Sequence, residues 1–192
     1  SFEVFFATST NGGQTFSTAE PLSEEDGNES SDPQISSEGN NVYVVWQDFN
    51  PGNFDIFSKR SSDSGQIFST PPENISESTE DSLFPQISSE GNNVYVVWQE
   101  FISGNSIIFF SFSHDNGQTF STPDNISENT GFSGGQQISS EGNNVYVIWS
   151  APAPSTSDIF FSFSHDNGQT FNTPPDNLSE STGESSRPQI SS

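Results

Sequence analysis

One octapeptide constrains the fold of this chain more than any other feature of its sequence. SHDNGQTF occupies residues 113–120 and recurs unchanged at 164–171, and related copies stand earlier, STNGGQTF at 9–16 and SSDSGQIF at 61–68. The first residues of successive copies are 52, 52 and 51 positions apart. Because self-similarity at a fixed period is typical of repeat architectures, each period should be one structural unit.

Two further phrases recur in phase with the octapeptide. PQISS, once as QQISS, and NVYVVW, once as NVYVIW, are separated by Glu-Gly-Asn, in which the Gly-Asn pair favours a tight hairpin turn. The first phrase starts at Pro33, Pro85, Gln136 and Pro188, and the second ends at Trp46, Trp98 and Trp149. After a variable loop comes a strand such as DIFFSFS, then the octapeptide and a last strand. Each unit therefore reads as four short strands.

This organisation predicts an all-β chain, a β-propeller of four-stranded antiparallel blades. A blade has two apolar faces, and these can be buried only by packing blade on blade. A two-sheet sandwich is the alternative, but a sandwich gives no reason for a repeating sequence. The predicted array has a partial blade at 1–32, whole blades at 33–84, 85–135 and 136–187, and a single strand at 188–192.

The two partial blades lack one strand between them. Residues 1–32 supply a third and a fourth strand, and residues 188–192 supply a first strand, so the second strand of a shared blade is missing. We therefore expect either a fragment of a longer array or self-association with a second copy, since unpaired strand edges favour pairing.

Composition excludes several classes of function. The 192 residues carry 26 acidic and three basic side chains, a net charge of -23, which repels nucleic acid and anionic membranes. The chain has no Cys, so it has no disulfides, and it has no apolar run near the ~20 residues of a membrane span. It also has no Met, so we expect a signal peptide or an upstream portion to have been removed. An extracellular or cell-surface location is predicted.

The octapeptide pattern, Ser-x-Asp-x-Gly-x-x-Phe, predicts a self-locking turn. The Asp accepts backbone N–H bonds within the turn, Gly supplies a positive φ, and Phe enters the core. The residues concerned are Ser9, Asn11, Gly13 and Phe16; Ser61, Asp63, Gly65 and Phe68; Ser113, Asp115, Gly117 and Phe120; and Ser164, Asp166, Gly168 and Phe171.

The same pattern resembles the Asp-box, or BNR, repeat of sialidase-like β-propellers, and the resemblance covers essentially the whole chain. It implies that the octapeptide joins the third and fourth strands of a blade at the rim, away from any active site, in a structural role. The phrases NNVYVVWQD, DIFFSFS and NGGQTF are also similar to secreted repeat proteins of ammonia-oxidising archaea.

A sialidase active site cannot be assembled from these residues. The resemblance implies three arginines around a carboxylate, a Tyr/Glu nucleophile pair and an acid Asp, whereas the chain has only Arg60 and Arg187. The tyrosines recur as repeated strand residues, Tyr43, Tyr95 and Tyr146. Other glycoside hydrolysis needs only two carboxylates, but no acidic residue stands apart from the repeat. His114 and His165 fall at equivalent turn positions and should face solvent. We predict no catalytic residues and no enzyme activity.

Three kinds of binding or modification site have candidates. A ligand face for sugars could include Trp46, Gln47, Asp48, Trp98, Gln99, Glu100 and Trp149, although the tryptophans could instead form the core between blades. Calcium could bind the loop SEEDGNESSD through Glu24, Glu25 and Asp26, but the loop lacks the spacing of a known calcium motif and could simply be solvated. Glycosylation sequons stand at Asn28, Asn74, Asn125 and Asn177, and the last three could merely end a strand.

Three hypotheses of function follow. The first is a non-catalytic extracellular repeat scaffold for cell-surface structure, adhesion or self-assembly through contacts between blades. The second is a lectin-like propeller that binds glycans. The third is a glycoside hydrolase related to sialidases, for which the sequence offers no pocket.

Overall fold

The structure is a computed structural model that describes residues 2–128, 131–153, 156–180 and 182–192. All regular secondary structure in these ranges is β. The strands are β1 (Phe5–Phe6), β2 (Glu20–Pro21), β3 (Ser30–Glu38), β4 (Asn41–Asn50), β5 (Asn53–Ser61), β6 (Glu73–Asn74), β7 (Asp81–Glu90), β8 (Asn93–Ile102), β9 (Asn105–Ser113), β10 (Asp124–Asn125), β11 (Gly134–Glu141), β12 (Asn144–Pro152), β13 (Ser157–Ser164) and β14 (Asp176–Asn177). In the part of the chain described, no helix has the length and apolarity to cross a membrane.

The strands form three four-stranded antiparallel sheets and one two-stranded ribbon. We call β1–β2 the N-terminal ribbon, β3–β6 blade 1, β7–β10 blade 2 and β11–β14 blade 3. Within each blade the strands follow one another in chain order, each pairing with the next. The prediction of three whole antiparallel blades is confirmed, and the chain is an open β-propeller array.

Two turns of each blade meet at one end, which we call the box end. The first hairpin has a two-residue loop, Gly39-Asn40 in blade 1, in which Gly39 has a φ of 58°. The octapeptide turn lies beside it, because the Ser64 N–H donates to the Asn40 carbonyl at 2.8 Å. The same bond recurs from Asn116 to Asn92 and from Asn167 to Asn143. The other end, with the β4–β5 type of loop, is the loop end.

The first strand of each blade contains a bulge that the sequence did not predict. The pairing register shifts between Ser31 and Gln34, between Leu83 and Gln86, and between Gly134 and Gln137. Within the bulges the φ values of Asp32, Phe84 and Gly135 are 50°, 56° and 65°. Pro33 and Pro85 lie in the bulges because Pro cannot donate to the strand ladder. The strands accordingly begin before the predicted blade starts at 33, 85 and 136.

The core lies between the sheets. Each blade has a forward face, towards the next blade in the chain, and a backward face, towards the preceding one. Tyr43, Val45 and Ile56 on the forward face of blade 1 pack against Val94, Val96 and Trp98 on the backward face of blade 2. The same arrangement joins blades 2 and 3, and the N-terminal ribbon packs on blade 1 through Val4 and Leu22. Each blade is thus stabilised by its neighbours.

Residues 188–192 take the place predicted for a first strand but form no regular strand. They dock beside β11, because the Ser192 N–H donates to Ser139 Oγ at 3.0 Å and the Ser192 hydroxyl donates to the Ser140 carbonyl at 3.1 Å. The two partial blades therefore lie at opposite ends of the array.

Candidate functional site

The octapeptide turns are locked by their own polar side chains. In the third copy, Asp115 Oδ1 accepts the Gln118 and Thr119 N–H groups, each at 2.9 Å, and Oδ2 accepts the Thr119 hydroxyl at 2.8 Å. Ser113 Oγ donates to Asp115 at 2.7 Å and accepts the Gly117 N–H at 2.9 Å. Gly117 has a φ of 68°, and the preceding Asn116 also has a positive φ, of 60°. The polar side chains of the turn thus form their hydrogen bonds within the turn itself.

The hydrogen bonds also change the acidity of the turn carboxylates. The Ser164 hydroxyl, followed by the Thr170 hydroxyl and N–H, lowers the pKa of Asp166 to about 2. Burial favours a higher pKa for Asp115, but the bonds from Ser113 and Thr119 outweigh it and bring the pKa to about 2. The pKa of Asp63 is lowered first by the Ser61 hydroxyl. These shifts stabilise the ionised turn and provide no proton donor near neutral pH.

The first copy shows how an amide replaces the carboxylate. Asn11 Oδ1 accepts the Ser9 hydroxyl at 2.9 Å and the Thr15 N–H at 3.0 Å, and Asn11 Nδ2 donates to Thr15 Oγ1 at 2.8 Å. The bonds from the Ser hydroxyl and the Thr N–H are therefore kept without a charge, whereas the side-chain bond to Thr is reversed, because Asn11 donates to Thr15 and Asp115 accepts from Thr119.

The octapeptide glycines are also contact points between units. A Cβ on Gly65 would lie 2.7 Å from the Phe6 ring of the N-terminal ribbon, and one on Gly168 would lie 2.7 Å from the Phe110 ring of blade 2. A Cβ on Gly117 would lie 3.3 Å from the Tyr43 ring of blade 1. The turn glycine of each blade thus contacts an aromatic ring of the preceding unit.

The candidate ligand face at the loop end is mostly buried. Trp46, Trp98 and Trp149 are fully buried between units, as the alternative interpretation of the sequence expected. Their indoles are therefore inaccessible to a ligand. Trp46 Nε1 donates to Asp48 Oδ2 at 2.9 Å and Trp98 Nε1 to Glu100 Oε2 at 3.3 Å. Ala151 takes the acidic position in blade 3, and Trp149 Nε1 is buried with no partner among the described residues.

The amides of this face hold the bulges. Gln47 is buried, and its Oε1 accepts the Phe84 N–H of the next blade at 2.8 Å. Gln136 Nε2 donates to the Phe84 carbonyl at 2.6 Å, so the bulge of blade 2 is fixed from both neighbouring blades. Glu100 is also buried, whereas Asp48 and Gln99 are partly accessible. Two features of the sequence could have indicated this contact. A Gln follows Trp46 and Trp98, and the phrase PQISS begins with a Pro inside a predicted strand.

An acidic cavity of about 270 Å³ lies between blade 1 and the loop that follows the N-terminal ribbon. Its lining consists of Glu24, Asp26, Asp48, Asn50, Phe57, Pro72 and Asn74. Of the calcium candidates it includes Glu24 and Asp26, whereas Glu25 is exposed outside it. Asp26 accepts two bonds from Asn28. No group of three or more His, Cys, Asp or Glu side chains suited to a metal occurs in the described ranges, and calcium binding stays a prediction.

The three repeated sequons lie at the end of the fourth strand of each blade, where Asn74, Asn125 and Asn177 are the last strand residues. Asn74 Oδ1 accepts the Ser76 and Glu77 N–H groups, and Asn74 Nδ2 donates to buried Asp55 at 2.9 Å. Asn177 Nδ2 donates likewise to Asp158 at 2.8 Å. Ile107 takes the equivalent position in blade 2, and Asn125 is exposed. Asn28, outside the repeat, is half-buried in the acidic loop.

The histidines and tyrosines form no reactive pair. His114 and His165 are exposed at the box end, where His114 Nε2 lies 2.9 Å from the Asn167 carbonyl oxygen. His165 Nδ1 lies 2.6 Å from Asn144 Oδ1. Tyr43 and Tyr95 are core residues, and burial raises the pKa of Tyr95 to about 12. A tyrosine with so high a pKa is a poor nucleophile near neutral pH.

The two ends of the array carry apolar side chains that no further blade covers, exposed on the N-terminal ribbon and partly accessible on blade 3. On the backward face of the N-terminal ribbon, Phe5 and Phe16 are 54% and 66% exposed. The forward face of blade 3 carries Tyr146 and Phe161, stacked with ring centroids 6.2 Å apart. Residues at the same positions of the inner units are packed against a neighbour. Each end thus presents half of an interface that is complete inside the array.

Neither a family model nor a curated protein matches the sequence. Among solved structures, a Hadza microbial sialidase aligns with a TM-score of 0.60 at 15% identity, over 88% of this chain and 39% of that one. A family 117 glycoside hydrolase from the marine bacterium Zobellia galactanivorans aligns with a TM-score of 0.54 at 12% identity, over 93% and 62%. Trypanosoma rangeli sialidase with the inhibitor DANA gives 0.54 at 13%, over 75% and 30%.

The likeness to these structures lies in the fold, which is that of sialidase-like propellers. The chain spans about two fifths of the Hadza sialidase and under two thirds of the Zobellia hydrolase.

Proposed function

We propose that this chain is a non-catalytic extracellular scaffold built from Asp-box blades, and that it assembles into larger structures through contacts between blades. The observation that carries the proposal is the pair of exposed apolar ends, because each repeats one side of an interface that is buried three times inside the array. Exposed apolar patches of this kind typically mark sites of protein association.

The absence of catalysis is part of the proposal. The chain has two arginines, and they lie apart: Arg60 is beside Gly117 at the box end, and Arg187 is exposed before residues 188–192. Asp115 and Asp166 in the octapeptide turns have low pKa values, the opposite of a general acid. Burial, followed by the charge of Asp115, raises the pKa of Glu73, but Glu73 has no second carboxylate assigned to it as a catalytic partner among the described residues.

The size of the purified chain tests the scaffold proposal. Light scattering over a range of concentrations and salt should show species larger than a monomer, and fluorogenic sialosides should not be hydrolysed. A chain that stays monomeric under every condition would contradict the assembly proposal. Turnover of a sialoside would contradict the non-catalytic part.

A second candidate function is glycan binding, favoured by the acidic cavity at the loop end. Its carboxylates and amides, with Phe57 in the lining, are groups that hydrogen-bond to and stack on sugars. The structures with a similar fold include enzymes named as sialidases and a glycoside hydrolase. If glycans bind here, Asn50→Ala should abolish binding on a glycan array. Ile102→Ala, at the equivalent position of blade 2, should leave binding unchanged.

A further inference from the structure

We propose that two copies of this chain bind head to tail, with the N-terminal ribbon of one copy docked on the forward face of blade 3 of the other. This inference rests on the proposed assembly and names its partner, its surfaces and its polarity. Three kinds of contact recur between the units inside the array. For each kind of contact, one of the two surfaces involved has no counterpart at the first unit of the array, and the other has none at the last unit.

The first contact is between an octapeptide turn and aromatic rings. Gly65 receives Phe6, and Gly168 receives Phe110 and Tyr95. Nothing lies within 4 Å of the Cβ position of Gly13, the turn glycine of the N-terminal ribbon. At the other end of the array, Tyr146 and Phe161 stand at the repeat positions of Tyr95 and Phe110, on the open face of blade 3. The surface at Gly13 of one copy can therefore contact the rings of Tyr146 and Phe161 of another copy.

The turn phenylalanines give the same pairing. Phe68 meets Phe6 edge to face with ring centroids 4.9 Å apart, and Phe171 meets Phe110 at 4.7 Å. Phe16 is the equivalent of Phe68 and Phe171 in the N-terminal ribbon, and it is exposed. Its predicted partner is Phe161 of the other copy.

The second contact is a ladder of serine hydroxyls along the first strands. The Oγ atoms of Ser36 and Ser89, of Ser88 and Ser140, and of Ser139 and Ser192 are each 2.7 Å apart. In every pair the first serine of one PQISS or QQISS phrase meets the second serine of the next. Ser191 and Ser37 are the unfilled members of this series. Both are exposed, and neither side chain has a hydrogen-bond partner among the described residues.

The third contact is the apolar core between sheets. Ile87 and Ile138 on the first strands of blades 2 and 3 pack against the preceding blade, whereas the equivalent Ile35 of blade 1 is 58% exposed. Residues 188–192 of a second copy would lie beside Ile35. The unit shared by two copies would then take its first strand from one copy and its third and fourth strands from the other.

The shared unit would still lack a second strand. The N-terminal ribbon already packs on blade 1 through Val4, Leu22 and Phe6 without a first or second strand of its own, so this packing does not require them. The contact joins different surfaces of the two copies. Such heterologous contacts generate closed rings or open filaments according to the rotation between copies.

Because the chain contains no cysteine, disulfide crosslinking tests the ladder directly. Ser37→Cys and Ser191→Cys variants, mixed and mildly oxidised, should give a disulfide-linked dimer on a nonreducing gel. Ser36→Cys mixed with Ser191→Cys should give none, because Ser36 already faces Ser89. Ser88→Cys/Ser140→Cys in one chain should form an internal disulfide and remain a monomer on the same gel. An internal Ser37→Cys/Ser191→Cys disulfide in a monomer would overturn the proposal in favour of closure within one chain.

A pair of charge variants tests the apolar contact without disturbing the fold. Phe16→Glu and Ile67→Glu both place a negative charge at an exposed apolar side chain, but Ile67 belongs to no interface cluster. Phe16→Glu should weaken association at least about tenfold, whereas Ile67→Glu should keep it within about twofold of the parent. If the parent chain never associates, both the assembly and its head-to-tail form fail. If it associates but the two variants behave alike and the cysteines do not link, the head-to-tail arrangement alone is overturned.

Discussion

At the residue scale, the repeat provides its own controls, because equivalent side chains have different partners in different blades. The three tryptophans are all fully buried, yet Trp46 donates to a carboxylate and Trp149 does not. A hydrogen bond to a charged group contributes about 1.5–3 kcal/mol, whereas loss of an unpartnered donor removes a desolvation cost.

We therefore expect Trp46→Phe to destabilise the chain more than Trp149→Phe, by about 1.5–3 kcal/mol. The lost volume is the same in both variants, so the difference isolates the bond from Nε1 to Asp48. Urea unfolding followed by intrinsic fluorescence measures the two free energies. Equal losses in the two variants would show that the bond to Asp48 contributes nothing.

The turn carboxylates predict a dependence of stability on pH. The pKa values of Asp115 and Asp166 are about 2 in the folded chain against an ordinary value of 3.8. Because the unfolded chain then binds more protons, stability falls as the pH decreases from about 4 to about 2. The double variant Asp115→Asn/Asp166→Asn should lose less stability over that interval, because Asn has no charge to titrate and Asn11 still closes the first turn by accepting the Ser9 hydroxyl and the Thr15 N–H. Melting temperatures at pH 6, 4, 3 and 2 would test this, and parallel curves would contradict it.

At the scale of the elements, the same strand is core in one blade and surface in another. Tyr95 on β8 is fully buried against blade 3, whereas Tyr146 at the same position of β12 lies on the open forward face. The difference comes from the neighbour and not from the strand, because both sheets have the same order and pairing.

Tyr95→Ala should accordingly cost about 3–5 kcal/mol of unfolding free energy, as large aromatic-to-alanine changes in a core do. Tyr146→Ala should cost the monomer less than half as much, and it should weaken association between copies. Denaturant unfolding at low concentration and sedimentation at high concentration measure the two effects separately. A similar loss of monomer stability in both variants would contradict the proposed open face.

At the scale of the whole molecule, the net negative charge opposes the association between copies that the apolar ends favour. Two copies that each carry a net charge of -23 repel each other until salt screens the repulsion. Raising the ionic strength from about 0.01 M to 0.15 M shortens the Debye length from about 30 Å to 8 Å. Association should therefore strengthen with added NaCl, as measured by sedimentation equilibrium. Weakening by salt would mean that ion pairs, and not apolar surfaces, join the copies.

The sequence by itself determined the repeating unit, the order of its strands and the locked turn. These features depend on short-range interactions, such as the bonds that Asp115 accepts from residues three and four positions away. A single copy of the repeat is therefore enough to predict them. The unbroken apolar run in NVYVVW also indicated a strand with two apolar faces.

Only the tertiary structure decided where those faces are covered. The positive φ of Phe84 in its bulge depends on Gln47 and Gln136 from the two neighbouring blades, and the burial of Trp46 depends on the N-terminal ribbon. A candidate ligand face became core for this reason, and the two ends of the array became surface. Identical repeat sequences form identical strands, but whether a side chain on such a strand is buried depends on the neighbouring unit that packs against it.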